Sequence, residues 1–262
     1  MVAARDDRTT GVGTEARGPS RAFAPRAEQS AGERRVRDLL LVALTVSTGA
    51  VDALSWLVLG KVFSAFMTGN FVFLGLRTGG AAGPSVTRVL AAVAAFGVGA
   101  ALAVRIVAPT EESRVLWPSR VTVALGAAFA VQAAFLGLWI GVGAAPSSST
   151  GDLLIAISSL AMGMQTTAIF SLGVRAVFTT AATATWAALM GDLSGWPQSA
   201  GERRRLAAVI VGLLAGAAVG GLLVVHARTW APLFPLVLSG LVVTAALTFG
   251  RRQPGLRLRT EG

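Results

Sequence analysis

Val62-Phe63-Ser64-Ala65-Phe66-Met67-Thr68-Gly69-Asn70-Phe71-Val72-Phe73-Leu74-Gly75-Leu76 is apolar enough to enter a bilayer and too short to cross one comfortably. As a helix it spans about 22 Å at about 1.5 Å per residue, against a hydrocarbon core of about 30 Å. Lys61 and Arg77 flank it and could snorkel outward to stretch it, so length alone leaves crossing open. Whether it crosses sets the direction of every later segment. A second stretch of the same kind, Ala176 to Gly191, carries Thr179-Thr180-Ala181-Ala182-Thr183-Ala184-Thr185 before Trp186. Small polar residues interrupt both. Gly69 weakens a helix and Asn70 is a good N-cap, which predicts a break between Thr68 and Phe71.

Outward from these lie six long apolar segments, at 39–60, 86–107, 121–143, 153–174, 205–227 and 230–250. Each reaches roughly 20 residues, enough to span a bilayer. Of the 262 residues, 53% are hydrophobic, 31 are glycine and only 14% are charged, where a soluble domain carries about 25% charge. The chain reads as a multi-pass membrane protein. Residues 1–37, rich in Arg, Ala and Gly with Pro19 and Pro25, read as a disordered tail, and 251–262 as a basic tail. The first apolar run begins only at Leu39 and shows no processing signal, so this segment is expected to be retained. With no Cys and a single His, His226, disulfides, thiolate chemistry and metal clusters drop out, and no cofactor is expected. The net charge of +10 sits at the tails and between apolar segments, without an aromatic-interleaved basic face. That is an orientation signal, with the bilayer and not nucleic acid as the partner.

Arginine placement tests the crossing number. With six crossings both ends lie in the cytoplasm, and near-membrane Lys and Arg divide 16 inside to 4 outside; eight crossings give 14 to 6. Six crossings also put Arg105, Arg114 and Arg120 inside and the uncharged loop 144–150 outside. The expected fold is therefore all-α, with six crossing helices plus two short interrupted segments that dip in and return. Halves 38–143 and 151–250 then enter from opposite faces, an inverted 3+3 repeat. Alignment by hand places Leu59-Gly60 on Leu172-Gly173, Thr68 on Thr183, and Arg88-Val89-Leu90 on Arg204-Arg205-Leu206. Paired undersized segments in such halves mark a substrate pathway near the midplane.

Asp52 is the strongest chemical signal, a lone carboxyl 14 residues into the 22-residue first segment. At that depth it costs about 2.5–3.5 kcal/mol on insertion scales and must be compensated. It is either a carrier or ligand for a proton, cation or substrate donor, or a structural acid bonded to Ser55, Thr48 or broken-helix backbone. Gln165 is read as its match in the second half. Thr68, Gly69, Asn70, Thr183 and Thr185 would line the gap, as substrate contacts or as caps and interhelical bonds. Gly212, Gly216 and Gly220, like Ala95, Gly99 and Ala103, form small faces for close packing within the chain or between protomers of a homo-oligomer. Asp152, Asp192 and Glu202 read as solvated ends and His226 as interfacial. Trp56, Trp186 and Trp230 serve as anchors or cavity walls.

Gly49-Ala50-Val51-Asp52-Ala53-Leu54-Ser55, Gly60-Lys61-Val62-Phe63 and Met67-Thr68-Gly69-Asn70 resemble the YoaK-like family of bacterial membrane proteins. Gly163-Met164-Gln165 and Leu172-Gly173-Val174 are similar to that family's second signature. Thr166 stands where Asn is usual, and Ala184 where Gly is usual. The resemblance covers about 38–250 and implies six spans in the bacterial cell membrane, without implying an activity. The leading expectation is a small-solute permease with Asp52 at its site. The alternative is a structural or regulatory membrane protein acting through helix assembly. An intramembrane enzyme is disfavoured, because no paired acids, Ser-x-x-Lys or His-Glu-x-x-His occur.

Overall fold

The computed structural model describes residues 31–108, 116–173, 182–194 and 199–250. These form eight α-helices: α1 Ala31–Val58, α2 Met67–Thr78, α3 Val86–Val107, α4 Ser119–Gly141, α5 Ser148–Phe170, α6 Ala182–Leu193, α7 Ala200–His226 and α8 Leu233–Gly250. No strand occurs among the described residues. Residues 31–37, read as tail, are the first turns of α1, since extending a nucleated helix costs little. The rest of the tail, 1–30, lies outside the described residues, as do 176–181 and 251–262.

Six helices are long and apolar enough to cross a membrane, α8 together with the short 3-10 turn Arg228–Trp230 before it. Helix α2 has 12 residues, about 18 Å, too short to cross, and α6 is described over 12 residues, Ala182–Leu193. Apolar residues face outward as well as inward: Val211, Leu214, Leu222 and Val225 of α7 and Leu241 of α8 are exposed, as a lipid-facing surface requires.

Contacts between helix ends fix the directions. Arg88, at the start of α3, reaches the Leu59 carbonyl just past α1 at 3.4 Å and the Asp152 carboxylate in α5 at 2.6 Å. So α3 starts at the face where α1 ends; had α2 crossed, α3 would start at the other. Asp38 of α1 lies 3.9 Å from Arg205 of α7, so these two helices start at one face and run parallel. Arg228, after α7, donates to the Ala144 carbonyl after α4 at 2.9 Å. Ser47 of α1 donates to the Pro235 carbonyl of α8 at 3.1 Å, while Leu40 and Ala246 share a core cluster, so α8 is antiparallel to α1. The crossings alternate, and α1 begins at the face where α8 ends.

The packing comes in matched pairs. On α1 and α7, Gly49 lies against the backbone of Leu213 and Ala217, and Gly216 against that of Val46. On α5 and α3, Gly163 lies against the backbone of Phe96 and Ala100, and Gly99 against that of Leu160. Each α5 residue stands 114 positions after its α1 counterpart, and each α7 residue 117 after its α3 counterpart. The ion pairs Asp38–Arg205 and Asp152–Arg88 obey the same two offsets at opposite ends of the bundle. Gly212 and Gly220 also pack on α1, against Val42 and Ala50.

Candidate functional site

Helix α1 stops because Gly60 and Lys61 adopt positive φ, 87° and 59°. The Lys61 N–H then donates to the Trp56 carbonyl at 3.2 Å, a six-to-one closing bond. A side chain on Gly60 would also collide with the Arg88 guanidinium. The chain turns back along α1 until Asp52 Oδ1 accepts the N–H groups of Ser64 at 2.9 Å and Ala65 at 2.8 Å. From α2, Asn70 Oδ1 accepts the Phe63 N–H at 3.1 Å and Nδ2 donates to the Phe63 carbonyl at 2.7 Å. Two side chains thus satisfy backbone that the bilayer interior cannot hydrate.

The break therefore falls at 59–66, not between Thr68 and Phe71. Helix α2 starts at Met67, with Phe66 in the N-cap position and no side-chain cap. The Asn70 amide is committed to the backbone of Phe63 in the preceding turn, which is why it caps nothing. Gly69 instead makes room for rings, since a Cβ there would lie 2.8 Å from Phe66 and 3.1 Å from Phe63.

Beside this re-entrant segment lies a pocket of about 570 Å³, within the size range of small-molecule sites. Thr48, Asp52 and Trp56 of α1 form one wall and Phe63 and Phe66 a second. Leu213, Leu214, Ala217 and Gly221 of α7 form a third, and Ala182 and Thr183 at the start of α6 close it. Asp52 is its only ionisable lining residue among the described residues. The rings form a stack, with Trp56 and Phe63 centroids 5.0 Å apart, Trp56 and Phe73 5.8 Å, and Phe66 edge-on to Phe63 at 5.2 Å. Lys61 Nζ lies 5.4 Å from the Trp56 ring centroid.

Of the residues read from sequence, Asp52 and Thr183 line this pocket, and Gly69 and Asn70 shape the segment that bounds it. Ser55 is buried and donates to the backbone carbonyl of Asp52 at 3.1 Å, not to its carboxyl. Thr68 is exposed and Thr185 buried within α6; neither lines the pocket. Gln165 is a correction: its amide donates to the Thr48 hydroxyl at 3.0 Å, tying α5 to α1 behind the pocket wall. At the 114-residue offset Gln165 falls on Val51, and Thr166 falls on Asp52; the buried Thr166 hydroxyl has no partner among the described residues. Asp152 is a second correction, a partly exposed carboxylate held by Arg88 and not a free helix end. Glu202 lies 3.6 Å from Arg205, and its N–H is capped by Ser199. His226 is exposed at the end of α7. Trp56 is a cavity wall, while Trp186 and Trp230 are about half exposed. The Asp192 side chain, Thr179 and Thr180 lie outside the described residues. No group of three metal-ligating residues occurs among the described residues.

Sequence reading missed Phe63, Phe66 and the α7 wall, and named Thr48 only as a bonding partner for Asp52, not as pocket lining. One signal was available: Thr48, Asp52 and Trp56 are spaced four apart and share a helix face.

A family model described as a protein of unknown function (DUF1275) matches residues 40–245, and the chain belongs to that family. It is 38% identical over 159 residues to the UPF0700 transmembrane protein YoaK of Bacillus subtilis (strain 168), covering 61% of this chain and 68% of that protein. No solved structure matches the chain.

Proposed function

We propose that this member of the DUF1275 family is a small-solute permease of the bacterial cell membrane, with both termini cytoplasmic, no enzymatic activity, and its site at the Asp52 pocket. One observation carries the reading. A carboxyl in a crossing helix lines a pocket where a re-entrant segment and Ala182 and Thr183 of α6 come together. Broken elements at membrane depth are tolerated where they line a cavity, and in transporters they build the site.

The matched contacts support an inverted 3+3 repeat. Two offsets relate four glycine contacts and two ion pairs at opposite ends of the bundle, more than alanine-rich similarity would produce. A role in helix assembly draws less support, because Gly99, Gly212, Gly216 and Gly220 pack against helices of the same chain.

Purified protein in liposomes, offered a panel of labelled small cationic, neutral and anionic solutes, tests the reading. At least one solute should equilibrate faster than in empty liposomes. Gly221→Leu should block it, because Gly221 lines the pocket and a Cβ there meets nothing within 4 Å. Equal rates in empty and loaded liposomes for the whole panel would reject the proposal. Orientation has its own check on this Cys-free chain. Ser148→Cys should react with an impermeant maleimide in intact cells, and Ser199→Cys only after permeabilisation.

A further inference from the structure

We infer that the pocket takes an organic cation, an alkylammonium on a compact apolar body. This rests on the permease reading and adds the class of solute.

The argument begins with charge. Among the described residues Asp52 contributes the only ionisable group to the lining, and no described Lys, Arg or His lines it. Oδ1 accepts the Ser64 and Ala65 N–H groups at 2.9 and 2.8 Å, and the Phe66 N–H also interacts with the carboxyl. A carboxylate has about four acceptor positions, so capacity remains for an ammonium donor. Among the described residues no cationic side chain pairs with this carboxyl, so a solute ammonium can take that place.

The rings supply the second half of the recognition. Trp56, Phe63 and Phe66 line the same pocket as the carboxyl, and aromatic faces attract ammonium groups most strongly where water is excluded. The Trp56 ring already shows this preference, with the Lys61 ammonium 5.4 Å from its centroid. Leu213, Leu214 and Ala217 offer only dispersion and apolar burial, which suits the body of the solute.

An anion finds little to meet it. The Thr48 hydroxyl donates its proton to the Leu44 carbonyl at 2.9 Å. The re-entrant amides that would greet an anion already hold Asp52, a charge of the same sign.

The test is calorimetric titration of the full chain in lipid nanodiscs with three probes of one shape, phenethylammonium, 2-phenylethanol and 3-phenylpropionate, against protein-free nanodiscs. Phenethylammonium should bind about tenfold more tightly than the alcohol, and the propionate most weakly. Asp52→Asn keeps an oxygen for the Ser64 and Ala65 amides, and should lower ammonium affinity to that of the alcohol while leaving the alcohol within twofold. Trp56→Leu should weaken the ammonium several-fold even if Asp52→Asn fails to fold. Alcohol or propionate binding as tightly as the ammonium, and lost in Gly221→Leu, would overturn the cation class and leave the permease reading standing. No binding by any probe would overturn the cation class, and the liposome panel then decides the permease reading separately.

Discussion

Replacing Asp52 in two ways separates its hold on the backbone from its charge. Oδ1 accepts two amides from a segment twelve and thirteen residues away, at 2.9 and 2.8 Å. Asp52→Ala leaves both N–H groups without an acceptor at membrane depth. Each orphaned buried donor costs about 1–3 kcal/mol, so the variant should lose about 2–6 kcal/mol of stability. Asp52→Asn keeps a carbonyl oxygen where Oδ1 stands. It trades two charge-assisted bonds for two neutral ones, a loss of about 2 kcal/mol, partly offset because no charge need leave water. Thermal unfolding in one detergent should therefore rank wild type and Asp52→Asn close together and Asp52→Ala well below. Hydrogen exchange supplies the local readout: the Ser64 and Ala65 amides should lose protection in Asp52→Ala and largely keep it in Asp52→Asn. Equal melting of the two variants, with unchanged exchange at both amides, would refute the claim that this carboxyl pins the re-entrant segment.

Arg88 joins three elements, through Asp152 and the carbonyls of Leu59 and Ser148; a double-mutant cycle of Arg88→Leu with Asp152→Asn should show coupling near 1 kcal/mol, the upper end for a partly exposed pair, and zero coupling would remove the latch. Gly216→Leu and Gly163→Leu should both abolish a monodisperse peak in size-exclusion chromatography, because each side chain would strike a neighbouring backbone. Gly97→Leu, with nothing within 4 Å of its Cβ position, should elute as wild type; tolerance of Gly163→Leu alone would break the equivalence of the halves. Both amide atoms of Gln132 are buried without a partner among the described residues, so Gln132→Leu should be neutral or stabilising by about 1–2 kcal/mol; a melting temperature several degrees lower would show that the amide matters.

The six spans, the membrane environment and the depth of Asp52 were legible in the sequence. Each follows from local composition, since lipid selects long apolar runs and makes a lone acid conspicuous wherever it falls. The proposed repeat was visible only coarsely. A hand alignment drifted between offsets of 113 and 116, because alanine-rich helices match in many registers, and it passed over Asp38-Leu39-Leu40 against Asp152-Leu153-Leu154. Contacts select the register, since a glycine can meet a facing backbone at only one level of each helix crossing.

The site was half legible. Asp52 and the undersized segments named the region, and a four-residue spacing through Thr48, Asp52 and Trp56 marked the face. Sequence could not show that Asn70 turns back to Phe63, that Gln165 bonds to Thr48 on the far side of α1, or that α7 supplies a pocket wall. Those outcomes depend on where the chain goes after Gly60, whose left-handed turn returns Ser64 and Ala65 to the level of Asp52. Composition along the chain determined which segments enter lipid. Which side chain meets which backbone was decided by the tertiary structure, because unhydrated amides must find partners and the nearest acceptor in space is remote in sequence.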